Sequence, residues 1–263
     1  MQKLVNFNVP NTESISGETI KGILLNFRAL QADGTTVCDI ADLNRVSLTL
    51  TYKRRGQKDL VIFNGDLDDY LVAMYSQTPR YQMAKTKRND GYKIAIDFTP
   101  GAIAINRTDR LEIRLNAKTT SFTSLSLPNS TISIESIPAS SGSRVIQRVV
   151  STPVGTDKVD FDDTLENDIF KIVAATDYTA PYEESTKAQV ERVNLVADNI
   201  KKDVSADLIE LENINFLHMN PETDIEHCVL HWGEVLKNPR LKLDLTKPAD
   251  IYTKILTVGW VAL

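Results

Sequence analysis

The chain has 263 residues, 42% apolar and 25% charged, the proportions of a globular protein and not of a disordered chain or a fibre. That length is generous for one sandwich and comfortable for two domains of ordinary size. A formal net charge of −5 excludes a global attraction to nucleic acid, so genome packaging by the chain itself is not expected and only local basic patches stay in play.

The opening residues, Met1 to Asn8, lack the apolar core of a secretion signal, and no later stretch approaches the ~20 apolar residues of a membrane-spanning helix. Synthesis in a cytoplasm is expected. Cys38 and Cys228, the only cysteines, lie in opposite halves and are too few for a disulfide framework, so both are expected as buried thiols.

Alternation then dominates. Val46, Leu48, Leu50 and Tyr52 are separated by Ser47, Thr49 and Thr51, a period of two that turns one face of a strand toward a core. Tyr92 to Phe98 repeats the pattern, as do Leu111, Ile113 and Leu115, and then Ile132 and Ile134. Turn chemistry punctuates these runs at Asp33-Gly34, Arg55-Gly56, Asn89-Asp90-Gly91, Pro100-Gly101 and Pro128-Asn129. Strands begin afresh at 145–150, 158–161, 169–174, 190–196, 241–245 and 251–260. Many short strands with polar turns predict a sandwich or barrel.

Two segments break the alternation. Asp66 to Tyr75 places Leu67, Tyr70, Leu71 and Met74 at helical spacing behind an acidic start, and Val204 to Leu217 does the same with Leu208, Leu211 and Ile214 behind Ser205 as a cap. Between the halves, Pro138-Ala139-Ser140-Ser141-Gly142-Ser143 is small, polar and aperiodic, a linker by composition, which gives expected domains of 1–139 and 140–263. Arg110-Leu111-Glu112-Ile113-Arg114-Leu115 resembles Arg240-Leu241-Lys242-Leu243-Asp244-Leu245. Diverged duplication would produce that likeness, and so would alternation alone.

Chemistry-bearing residues are sparse. His227 and His231 would share a helix face but stand ~13 Å apart on a strand, too far for one ion. Asp66, Asp68 and Asp69 lack calcium-loop spacing and suit a helix start. Asp157, Asp160, Asp162 and Asp163, with Glu166, concentrate acid on one strand and its loop; they are the candidates for a structural calcium ion, with solvated acids as the plainer reading. The basic run Lys53-Arg54-Arg55-Gly56-Gln57-Lys58 and the loop Lys85 to Arg88 suit phosphates or simply hairpin ends, without the aromatics of a base-stacking surface. No G-x-S-x-G elbow, G-x-x-x-x-G-K-[ST] loop or G-x-G-x-x-G turn is present, so neither an enzyme nor a bound cofactor is expected.

Two successive all-β halves, each with a short helix late among its strands, joined by a small-residue linker and closing through Pro239 to Leu245, Ile251 to Ile255 and Gly259-Trp260, resemble the double jelly-roll major capsid proteins of tailless icosahedral bacteriophages with an internal membrane. The resemblance implies an all-β fold of two eight-stranded jelly-roll sandwiches. It implies a homotrimer of six jelly rolls forming a pseudo-hexagonal capsomer of the virion. The capsomer would meet neighbouring capsomers, minor capsid proteins and an underlying lipid membrane, with no specific nucleic acid. A carbohydrate-binding or adhesin sandwich is the alternative, and it would want aromatic platforms, whereas aromatics are only 7% and many are core-phased.

Overall fold

The computed structural model describes residues 2–75, 83–98, 100–154, 160–165, 168–176, 189–197, 200–205, 208, 228–246 and 253–263. The described chain divides into two compact units. One comprises Met1–Leu71, Arg80–Arg148 and Val261–Leu263, and the other Val72–Pro79 and Val149–Trp260.

Nine strands belong chiefly to the first unit: β1 (Gln2–Val5), β2 (Asn11–Ile15), β3 (Thr19–Arg28), β4 (Val46–Lys53), β5 (Leu60–Asp66), β6 (Tyr92–Asp97), β7 (Ile103–Ala104), β8 (Arg110–Ala117) and β9 (Thr131–Pro138). Helix α1 (Leu67–Tyr75) follows β5, as its periodicity predicts, with Asp68 and Asp69 in its first turn. Among the described residues eight further strands follow: β10 (Val145–Val154), β11 (Asp160–Thr164), β12 (Ile169–Thr176), β13 (Gln189–Ala197), β14 (Ile200–Ser205), β15 (Cys228–Leu236), β16 (Arg240–Thr246) and β17 (Thr253–Ala262).

The first unit's sheets run β1-β9-β3-β6, with the short β7 beside β3, and β2-β8-β4-β5; the second unit's run β10-β17-β12-β15 and β11-β16-β13-β14. Apart from β7, the two orders coincide strand for strand, and both are jelly-roll orders. The match extends to irregularities. A bulge lies between Ile20 and Gly22 in β3 and another between Ile169 and Lys171 in β12, the strand in the same place. The two similar hexapeptides likewise fall on corresponding strands, β8 and β16.

Each core follows from period-two side chains. Val46, Leu48, Leu50 and Tyr52 of β4 are buried while the intervening residues are not, and β6 alternates in the same way. Phe7, Phe27, Tyr92 and Phe122 pack with ring centroids 5.7 to 6.4 Å apart, and the Tyr92 hydroxyl donates to the Cys38 carbonyl at 2.9 Å. In the second unit Phe161, Ile172, Leu195, Leu241, Leu243 and Ile255, drawn from both sheets, share one cluster.

One expectation needs adjusting. Val204 and Ser205 do not start a helix; they end β14, opposite Val193 and Arg192, because Val204 packs on that core. The remainder of the expected helix lies outside the described residues except Leu208. The small-residue connection is also fastened: Ala139 N–H donates to Thr19 O, Ser143 N–H to Ala102 O, and Ala102 N–H to Ser143 Oγ.

Leu48 and Ile94 are wholly buried, so Leu48→Asp or Ile94→Asp places an unpaired charge in the core and is expected to abolish folding; a soluble Ile94→Asp protein with native circular dichroism would overturn the phase of β6. Gly91 sits at φ +126°, where a Cβ would lie 2.0 Å from the Phe27 carbonyl oxygen, while Gly56, at φ +74°, has open space around it. Gly91→Ala should therefore cost at least ~2 kcal/mol more in urea unfolding than Gly56→Ala.

Candidate functional site

The groups with chemistry to offer are the charges that strands carry outward and the few that they bury. Because Leu111, Ile113 and Leu115 are buried, Arg110, Glu112 and Arg114 of β8 share the opposite face. Glu112 is nevertheless only 7% exposed. Its carboxylate accepts from Lys53 Nζ at 2.9 Å and from Arg114 Nε and Nη2 at 2.9 and 2.8 Å, and Arg110 Nη2 stands 3.7 Å away. The Lys53 ammonium, then the Arg114 guanidinium, hold its carboxyl below the usual range against the opposing effect of burial. Three cations thus converge on one anion.

The rest of the basic run is arranged around the β4–β5 hairpin end. The Arg54 guanidinium lies 5.8 Å from the Tyr52 ring centroid, and the Arg55 N–H donates to Asp109 at 3.0 Å. In the second basic loop Lys85 reaches Asp68 at 3.0 Å and Lys87 reaches Asp39 at 2.9 Å. Asp68 and Asp69, both almost fully buried, belong to the start of α1 as expected.

Of the calcium candidates, Asp157 lies outside the described residues, as does Glu166. Asp160, Asp162 and Asp163 follow one another on β11. Asp162 is held by Arg240 through two bonds of 2.8 and 2.9 Å, which keep its carboxyl below the usual range. Asp163 Oδ1 accepts the Thr164 N–H at 2.8 Å, and Asp160 is the cross-strand partner of Asp244. Among the described residues no group of three His, Cys, Asp or Glu stands close enough to hold a metal ion. Cys228 and His231 lie on β15, so that stretch is a strand; His227 lies outside the described residues. Cys38 is buried, which pushes its thiol pKa up.

Lys171 and Glu112 went unnoticed in the sequence, and both carry a signal. Lys171 interrupts the apolar run 169–174, and Glu112 sits between two arginines on a strand. Lys171 is 5% exposed, and its Nζ donates to the Ala73 carbonyl at 2.6 Å. Ala73 is in the last turn of α1, where carbonyls lack helical partners and a cation suits the helix dipole. Burial pushes the ammonium pKa from 10.5 down to about 8.

No protein-family model matches the chain, and no curated protein matches it. Among solved structures it is similar to a chain of the atomic structure of Sulfolobus Turreted Icosahedral Virus, with TM-score 0.64 and 11% identity, covering 100% of this chain and 89% of that one. Against the crystal structure of that virus's major capsid protein the TM-score is 0.59 at 12% identity, covering 99% and 96%. Against major capsid protein P2 of bacteriophage PM2 it is 0.54 at 13% identity, covering 100% and 98%. The likeness is one of fold: two consecutive jelly rolls, as in double jelly-roll major capsid proteins.

Lys171 generates a pH prediction. Its folded pKa lies below its unfolded one, so between pH ~8 and ~10.5 the unfolded chain holds a proton that the folded chain lacks, and stability rises with pH by up to about 3 kcal/mol from this group. Below pH ~8 the burial penalty is present in full. Lys171→Met should lose that rise in urea titrations at pH 7 to 10 while staying within roughly 2 kcal/mol of the parent at pH 7, since a lost charge penalty offsets an orphaned carbonyl. Parallel pH profiles for the two proteins would contradict this.

Proposed function

We propose that this chain is the structural coat protein of an icosahedral virus, a non-enzymatic block from which a shell is tiled. The observation that carries the reading is the doubling. Two sandwiches of one strand order, with a bulge in the corresponding strand of each, extend along a chain whose whole length aligns with capsid proteins of that architecture. A single jelly roll serves many functions and would say little. A tandem pair offers more: three copies arranged head to tail around a three-fold axis bring six similar sandwiches into one closed ring. The reading therefore extends to a homotrimeric, pseudo-hexagonal capsomer, to contacts with neighbouring capsomers and minor capsid proteins, and to a shell over an internal membrane in a bacteriophage virion.

Sedimentation equilibrium and electron microscopy of the purified protein test this. A particle of three times 29.4 kDa with a six-cornered outline is expected. A protein that stays monomeric at every concentration would overturn the reading, and one that is also retained on immobilised glycans would favour the carbohydrate-binding alternative.

A further inference from the structure

Like charges placed directly opposite one another on neighbouring strands destabilise a sheet, and among the described residues two such pairs of opposite sign occur. Lys53 of β4 is the cross-strand partner of Arg110 of β8. Asp160 of β11 is the cross-strand partner of Asp244 of β16. In both sheets these residues share the outer face, since Tyr52, Leu111, Phe161, Leu243 and Leu245 beside them are buried.

Each pair is only partly neutralised by its neighbours among the described residues. Lys53, Arg110 and Arg114 all turn to the one carboxylate of Glu112, and Asp59 stands 3.9 Å from Lys53. Asp244 has Lys242 at 3.5 Å and faces Arg192 on β13, while Asp160 has no cation at ion-pair distance among the described residues. Arg110 and Asp160 are both exposed. The pairing of β2 with β8 stops at Ile15 opposite Leu111, leaving Arg110 beyond its end. Strand β11 is the margin of its sheet, and Asp160 is its first residue.

We propose that the Lys53–Arg110 corner of one copy docks against the Asp160–Asp244 corner of a neighbouring copy. The occupant follows from charge complementarity. Two adjacent cations and two adjacent anions, each pair set by the spacing of paired strands, present the same separation and opposite sign. Copies that each carry a net charge of −5 repel one another at a distance, so association needs local contacts of this kind. The contact is heterologous, joining different surfaces of identical chains, as a closed ring or a tiled lattice requires. It rests on the coat-protein reading and names the surfaces that such a shell would join.

Charge reversal with rescue is the test. Asp160→Lys and Arg110→Glu, both at exposed positions, should each weaken association in sedimentation by roughly tenfold or more at low ionic strength. The double variant Asp160→Lys/Arg110→Glu should recover it. Wild-type association should also weaken at about 1 M salt, where screening acts within ~3 Å. Circular dichroism and melting temperature confirm that each variant folds, and Arg110→Gln replaces Arg110→Glu if the latter does not. Single reversals that associate like the wild type, or a double variant that fails to recover, would overturn the docking while leaving a self-associating coat protein in place. A monomeric wild type would overturn both. Variants whose only loss is binding to vesicles of anionic phospholipid would assign the basic corner to lipid headgroups and overturn the docking as well.

Discussion

Both sandwiches depend on one interior strand whose side chains alternate without interruption. Leu111, Ile113 and Leu115 in β8, and Leu241, Leu243 and Leu245 in β16, are buried, and each strand is paired on both sides. Slipping either strand by one residue would turn three leucines or isoleucines into solvent and drive arginine, lysine or a carboxylate into the core. That cost locks the register of the neighbouring strands: β2 and β4 about β8, β11 and β13 about β16. With the register locked, the outward charges are fixed too. The same constraint that builds the core therefore decides which charges meet on the surface.

How much of this could be read from the residues depends on how cleanly each strand alternates. β4, β6 and β8 have one face buried and one face polar, so period two is plain. β3 is harder. Ile20 is buried, and so are Ile23, Leu25 and Phe27, but the bulge at Gly22 shifts the phase between them, and no single period covers the strand. β1 and β2 are short margins with few apolar residues, which β-propensity cannot separate from loops. Ser205 is a good cap and makes the end of β14 resemble a helix start, and only the pairing of Val204 with Val193 decides otherwise.

The charged surfaces were less legible than the fold. Acidic and basic runs are visible one segment at a time, whereas their meaning lies in cross-strand partners many residues away. Lys53 and Arg110 are 57 positions apart in the chain and adjacent in the sheet. Asp162 looked like part of an acid cluster until Arg240, on the paired strand, supplied its two hydrogen bonds. Glu112 shows the converse, an apparently solvent-facing acid that three cations enclose.

The two units share a strand order, yet their corresponding outer faces differ in kind. On β4 and β8 the surface is Ser47, Thr49 and Thr51 with cations gathered about one carboxylate; on β13 and β16 it is a lattice of paired charges, Arg192 with Asp203 at 2.6 Å and Arg240 with Asp162 at 2.8 Å. Exposed pairs of this sort add little stability, about 0 to 1 kcal/mol each. A charge already matched gains little from a further partner, while one such as Asp160, with no cation at ion-pair distance among the described residues, gains more. The two units are thus alike in strand order and distinct in the charge pattern of their outer faces.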